Sequence, residues 1–157
     1  MIHPSVAPSY VSERLLHRAS EIGRVLTPMQ VLKLVYISHG WMLGLLDQPL
    51  IFETVEAWRY GPVVRSVYRK YRRYRGDPIA ERGALHDGHL HEQQRDLIDQ
   101  VFHGYGEYSG IELSRLTHQP NTPWAIAWQS GMSVIPNELI RDHYRRRAAE
   151  LRAAHGG

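Results

Sequence analysis

The segment Arg65-Ser66-Val67-Tyr68-Arg69-Lys70-Tyr71-Arg72-Arg73-Tyr74-Arg75 holds six positive charges and no acid. The whole chain has a net charge of only +3, so the remainder is net acidic and the asymmetry is local. All but two of its 19 basic residues are arginine. Arginine's planar fork pairs with carboxylates and phosphates through two parallel hydrogen bonds. On a helical wheel Val64, Val67, Tyr71 and Tyr74 form an inward arc, while Arg65, Arg69, Arg72 and Arg73 point away and Tyr68 lies at the border. Such a face is either a solvated helix surface or a docking surface for an acidic protein or a nucleic acid.

Immediately before it stands Glu56-Ala57-Trp58-Arg59-Tyr60-Gly61-Pro62-Val63. In an extended chain Glu56, Trp58 and Tyr60 share one face, with Ala57 and Arg59 on the other. The segment reads as a strand-to-helix corner with a packed Trp. Trp58, Arg59 and Tyr60 are also residue types that anchor protein interfaces. The partner-binding candidates are therefore Arg65, Tyr68, Arg69, Arg72 and Arg73, with Trp58, Arg59 and Tyr60.

Other clusters offer less. His86-Asp87-Gly88-His89-Leu90-His91 gathers three imidazoles and a carboxylate, donors suited to zinc or nickel. The spacing matches no metal motif, and the run lies in a segment read as a loop, so no metal or cofactor is expected. Ser114 and His118 are four apart on a helix with no third catalytic member. Glu53 and Glu56 are close in sequence, but a carboxylate pair needs a cleft and nothing in the sequence predicts one. His39 falls on a buried helical arc, where a core histidine bonded to backbone is expected. The chain contains no GxxxxGK[ST], GxGxxG, HExxH or GxSxG. With no cysteine, thiolate metal sites and cysteine nucleophiles are excluded as well. The sequence predicts a protein that is not an enzyme.

The elements that must position these residues are mostly helices. Apolar spacing predicts a helix over 9–24, with Val11, Leu15, Ala19 and Ile22 on one side. Thr27-Pro28-Met29-Gln30 is a helix start with a capping box, and Ser109-Gly110-Ile111-Glu112 is another. The helix over 28–46 is apolar nearly all round and should be the buried axis of the domain. Gly40 and Gly44 interrupt it four apart, at a cost in helix propensity. A neighbouring backbone in close approach would compensate.

An extended segment or hairpin is expected over 49–60, a helix over 62–75 launched by Gly61-Pro62, and a loop over 76–91. Helices follow over 92–108 and from Ser109 to about His118, then from Thr122-Pro123. A terminal helix begins at Pro136-Asn137, with Leu139, Ile140, Tyr144 and Leu151 facing in and a frayed tail from 153. The expected fold is mainly α, a single helical domain over 1–157 with its core over 9–152. At 157 residues and 43% hydrophobic composition the chain is long enough to bury a core. No leader or spanning segment is recognised, so a soluble, cytoplasmic protein is expected.

These motifs together resemble a known family. Leu26-Thr27-Pro28-Met29-Gln30, Lys33-Leu34-Val35-Tyr36, Pro49-Leu50, the Glu56–Val63 corner, Leu113-Ser114-Arg115-Leu116-Thr117-His118 and Pro123-Trp124 occur in this order. The chain, over about 10–145, resembles the Panacea domain, the SocA-like or GepA-like phage-associated family. The resemblance implies an antitoxin of a bacterial or prophage toxin–antitoxin system that neutralises a toxin by direct protein binding. Its partner would be the cognate toxin, with a protease as a second partner if the chain delivers the toxin for degradation. A nucleic-acid-binding autorepressor of its own operon is the other alternative. The resemblance carries no catalytic residues. The shared positions Thr27, Lys33, Tyr36, Glu56, Trp58, Tyr60, Gly61, Pro62, Thr117, His118 and Trp124 are expected to build the fold.

Overall fold

A computed structural model describes residues 2–80 and 85–156. The element order is α1 (Pro8–Glu21), α2 (Pro28–Leu46), β1 (Val55–Trp58), β2 (Gly61–Val63), α3 (Arg65–Tyr71), α4 (Glu92–Tyr105), α5 (Gly110–Thr117), α6 (Pro123–Gln129), β3 (Val134–Ile135) and α7 (Asn137–His155). Short 3-10 turns occupy Arg72–Tyr74 and Asp87–His89. The expected mainly helical architecture is present.

α2 is the axis. Thr27 Oγ1 accepts the Gln30 N–H at 3.3 Å, and Gln30 Oε1 accepts the Thr27 N–H at 2.8 Å, closing the capping box. Every residue from Val31 to Leu43 is buried, because α1, α4, α5 and α7 all pack on it. The helix ends at Asp47 in the left-handed conformation, φ 55°.

The glycine pair finds the expected neighbour in α7. A Cβ on Gly44 would stand 2.8 Å from the backbone carbon of Tyr144 and 2.9 Å from the nitrogen of Arg145. At Gly40 it would strike the Tyr144 ring. The two glycines let the backbone of α7 lie against α2, with Tyr144 in the notch.

His39 ties three parts of the chain together from the core. Its Nδ1 accepts the N–H groups of Leu50 at 3.2 Å and Ile51 at 3.4 Å. The proton therefore sits on Nε2, which donates to Asn137 Oδ1 at 3.0 Å, at the start of α7. Burial lowers the His39 pKa to about 4, so the ring is neutral at physiological pH.

Four expectations need correction. Pro62 does not open a helix. It lies in β2, paired with Ala57 of β1, and α3 begins at Arg65. β2 is an edge strand in the order β2-β1-β3, where a missing N–H is tolerated. The start of α3 is served by Glu53, whose Oε2 accepts the Ser66 N–H at 2.9 Å. Second, β3 was not expected; two residues, Val134 and Ile135, are too few to leave a pattern. Third, Leu151 is 37% exposed instead of facing in, and the smaller Ala148 is buried in its stretch of α7. Fourth, α7 continues to His155 instead of fraying from 153.

The expected loop over 76–91 includes residues 81–84, which lie outside the described residues. His86–His91 is not simply solvated, because it docks on α1. Arg14 bridges Asp87 at 2.7 Å and Asp99 of α4 at 2.6 Å. His86 Nδ1 lies 2.8 Å from Glu13 Oε2, and His89 stacks on Tyr10 at 4.7 Å.

Candidate protein-interaction surface

The Trp58–Pro62 corner is held by its own carbonyls. The Trp58 carbonyl accepts from Trp124 Nε1 at 2.6 Å, that of Tyr60 from Ser114 Oγ at 3.3 Å, and that of Pro62 from Lys33 Nζ at 3.0 Å. Alternate carbonyls are thus gripped by α6, α5 and α2. Gly61 has φ 122°, and a Cβ there would stand 2.9 Å from Lys33 Nζ. Both the backbone conformation and the approaching ammonium require glycine.

Lys33 is 1% exposed, and burial lowers its pKa to about 8. Thr117 Oγ1 donates to the Leu113 carbonyl at 3.0 Å, and the His118 ring stands edge-on to Trp124. Trp124→Phe keeps an aromatic ring beside His118 but leaves the Trp58 carbonyl without its donor. It should lower stability by about 2 kcal/mol in urea denaturation.

This framework presents the hairpin tip and the outer face of α3. Tyr60 at the tip is 69% exposed, and the Arg59 guanidinium lies 5.7 Å from its ring centroid. Trp58 packs edge-on against Tyr68 at 4.9 Å, and Tyr68 is 38% exposed. The expected wheel holds: Val64, Val67 and Tyr71 are buried, and the arginines point outward.

The arginines are not equivalent. Arg65 is held by Glu56 through two hydrogen bonds of 2.8 and 2.7 Å and covers the Trp58 ring. Those bonds hold the Glu56 carboxyl below its usual range. Lys70 lies 3.7 Å from the buried Glu13. Arg73 donates to the Lys70 carbonyl and lies over Tyr74. The Arg69 and Arg72 side chains are exposed and make no hydrogen bond or ion pair among the described residues, although the Arg69 charge helps to lower the Glu56 pKa.

The other clusters are committed elsewhere. Glu53 caps α3 and Glu56 holds Arg65. Ser114 Oγ is on the Tyr60 carbonyl, while His118 Nδ1 faces the Ser114 carbonyl, so the two do not form a nucleophile–base pair. His86, His89 and His91 go to Glu13, Tyr10 and His3 respectively. Among the described residues no three acidic or imidazole groups converge as metal ligands.

The sequence predicts no concavity, yet one of about 550 Å³ lies at the α3 face, lined by Glu53, Glu56, Arg65 and Arg69, and two more flank α7. An apolar groove of about 510 Å³ runs between α2, α4 and α7, lined by Trp41, Leu45, Leu97 and Leu151. A polar cavity of about 470 Å³ lies on the other side of α7. Their tyrosines and leucines sit at ordinary helical core spacings, which signal burial and not a cleft.

Fold and surface together describe a small, mainly helical domain whose Trp58–Pro62 corner is gripped from three helices and whose basic α3 face is exposed. The family described as "Antitoxin SocA-like, Panacea domain" matches residues 31–125, and the chain belongs to it. The chain is also 28% identical to Antitoxin SocA of Caulobacter vibrioides (strain NA1000 / CB15N), over 90% of this chain and 84% of that protein. No solved structure matches. Family membership supports an antitoxin role and implies a toxin as partner in general. No helix among the described residues is long and apolar enough to cross a membrane.

Proposed function

We propose that this protein neutralises a toxin encoded beside it by binding it directly, through the hairpin tip and the outer face of α3. The observation that carries this reading is the pair Arg69 and Arg72, whose exposed side chains hold no hydrogen bond or ion pair among the described residues, beside an anchored aromatic set. Trp58 and Tyr60 belong to a hairpin whose carbonyls are fixed from three helices, and Tyr68 of α3 packs edge-on against Trp58. Little ordering entropy remains to oppose contact at such a surface. The guanidinium groups favour an acidic face on the toxin.

Co-expression with the neighbouring reading frame should rescue a growth defect, and the two chains should copurify. Replacing Tyr60 by Ala together with Arg69→Glu and Arg72→Glu should weaken the complex about 100-fold. Circular dichroism and thermal melting should be unchanged, since these side chains carry no part of the core. Arg65 is left native, because its change would also release Glu56. Undiminished affinity in the triple variant would place the contact elsewhere on the molecule.

A further inference from the structure

The polar cavity of about 470 Å³ between α2, α5, α6 and α7 has the size of a small-ligand site. Tyr36, Tyr105, Tyr144, His143, Arg146 and Arg147 line it. Tyr36 is 1% exposed and Tyr144 6%, yet neither hydroxyl has a hydrogen-bond partner among the described residues. Neither oxygen is among the fully buried unpaired atoms, so each is open to solvent and free to meet a guest. The Tyr105 oxygen accepts the Trp41 indole N–H at 3.0 Å, and its own proton has no acceptor among the described residues. The three phenols stand close enough to act on one another electrostatically, and none has a hydrogen-bond acceptor among the described residues.

The charge around them has one dominant sign. Arg146 and Arg147 are both cationic, and Glu150, the one carboxylate of the lining, is engaged by Arg147 at 3.3 Å. Burial pushes all three phenols above their ordinary pKa, so they remain donors. His143 is pushed down by burial and by Arg146, which leaves a neutral ring with an N–H to give. A wall rich in donors and cations suits an acceptor-rich guest carrying negative charge.

We propose that this cavity binds a small organic anion whose phosphate or carboxylate accepts from the Tyr36 and Tyr144 hydroxyls and pairs with Arg146. The site is separate from the α3 face and would make the antitoxin responsive to a metabolite. Its test uses the isolated full-length chain, so its outcome does not depend on the toxin-binding reading.

Inorganic phosphate, adenosine monophosphate and citrate are titrated calorimetrically, with sodium chloride at matched ionic strength as control. At least one of the three should bind and raise the melting temperature beyond the control. Binding by phosphate and the nucleotide without citrate assigns a phosphate guest; citrate alone assigns a carboxylate. Tyr36→Phe removes one hydroxyl without changing shape, and Arg146→Glu alters an exposed residue; each should weaken binding about tenfold or more. Should Tyr36→Phe fail to fold, Arg146→Glu decides alone. The proposal is overturned if none of the probes exceeds the salt control, or if folded variants bind as tightly as the native chain.

Discussion

Replacing Gly44 by alanine is expected to lower stability by about 3 kcal/mol or more, although the same change in an exposed helix raises it by about 1 kcal/mol. The sign reverses because the added methyl would meet backbone. It would lie 2.6 Å from Tyr144 Cβ, 2.8 Å from its carbonyl carbon and 2.9 Å from Arg145 nitrogen. Backbone cannot rotate aside as a side chain can, so α7 would have to move as a body. Its start is tied to His39 through Asn137 at 3.0 Å, and Arg141 and Arg145 reach Asp47 at 3.5 and 3.6 Å.

Gly40→Ala should also destabilise, but by a different contact, since the three atoms nearest its methyl all belong to the Tyr144 ring. Truncation by Tyr144→Ala should then relieve much of the Gly40→Ala cost and little of the Gly44→Ala cost. Double-mutant cycles measured by urea denaturation separate the two. Gly104→Ala in α4 is the control. Nothing lies within 4 Å of its added methyl, so it should be neutral or stabilising by up to about 1 kcal/mol. A Gly44→Ala protein as stable as the native chain would show that α2 and α7 do not pack in this way.

Much of this architecture was legible because local and tertiary signals agree. Thr27 with Gln30, and Ser109 with Glu112, announce helix starts, and both capping boxes form. The two glycines of α2 were costly enough in propensity to demand a close neighbour. The wheel of α3 placed Val67 and Tyr71 inside and the arginines outside. Where reading failed, a long-range contact overrode a local rule. Gly61-Pro62 has the chemistry of a helix start, but Lys33 grips the Pro62 carbonyl and pairing with β1 draws the segment into a strand.

Arg65 looked the same as Arg69 in sequence. Only the fold brings Glu56 beside it and divides a six-charge run into committed and uncommitted members. The phenols of the polar cavity come from α2, α4 and α7, and no pattern in any one helix predicts their convergence. The motif that carries the family resemblance is thus largely scaffold. Trp124, Ser114 and Lys33 spend their donors on the corner's carbonyls, so under the proposed function partner contact falls to what the corner displays.

Acid should destabilise this protein well before its carboxylates titrate, and His39 is the cause. An unfolded histidine titrates near pH 6.5, whereas burial holds His39 at about 4. Between these values the unfolded chain takes up a proton that the folded chain refuses. Stability is therefore complete above about pH 6.5 and falls as pH drops toward 4, by up to about 3 kcal/mol. His143, also pushed down by burial, adds to the loss with the same sign. Glu56 and Glu112, held below their usual range, weaken the fold only at lower pH, so the two effects separate along the axis.

Replacing His39 by Leu removes the titration but leaves the Leu50 and Ile51 N–H groups without an acceptor and Asn137 without its donor. At pH 7 that variant should be less stable by about 3–5 kcal/mol, yet its stability should change much less between pH 6.5 and 4.5. Lys33 governs the alkaline side with the same logic. Its folded pKa of about 8 lies below the unfolded value near 10.5, so stability should rise from pH 8 toward 10.5, and Lys33→Met should flatten that rise. Urea denaturation across pH 4.5–10 reads both limbs at once. Equal native stability at pH 5 and pH 7.5 would mean that His39 is not sealed in the core, and with it would go the joint that holds α2, the 50–51 segment and α7 together.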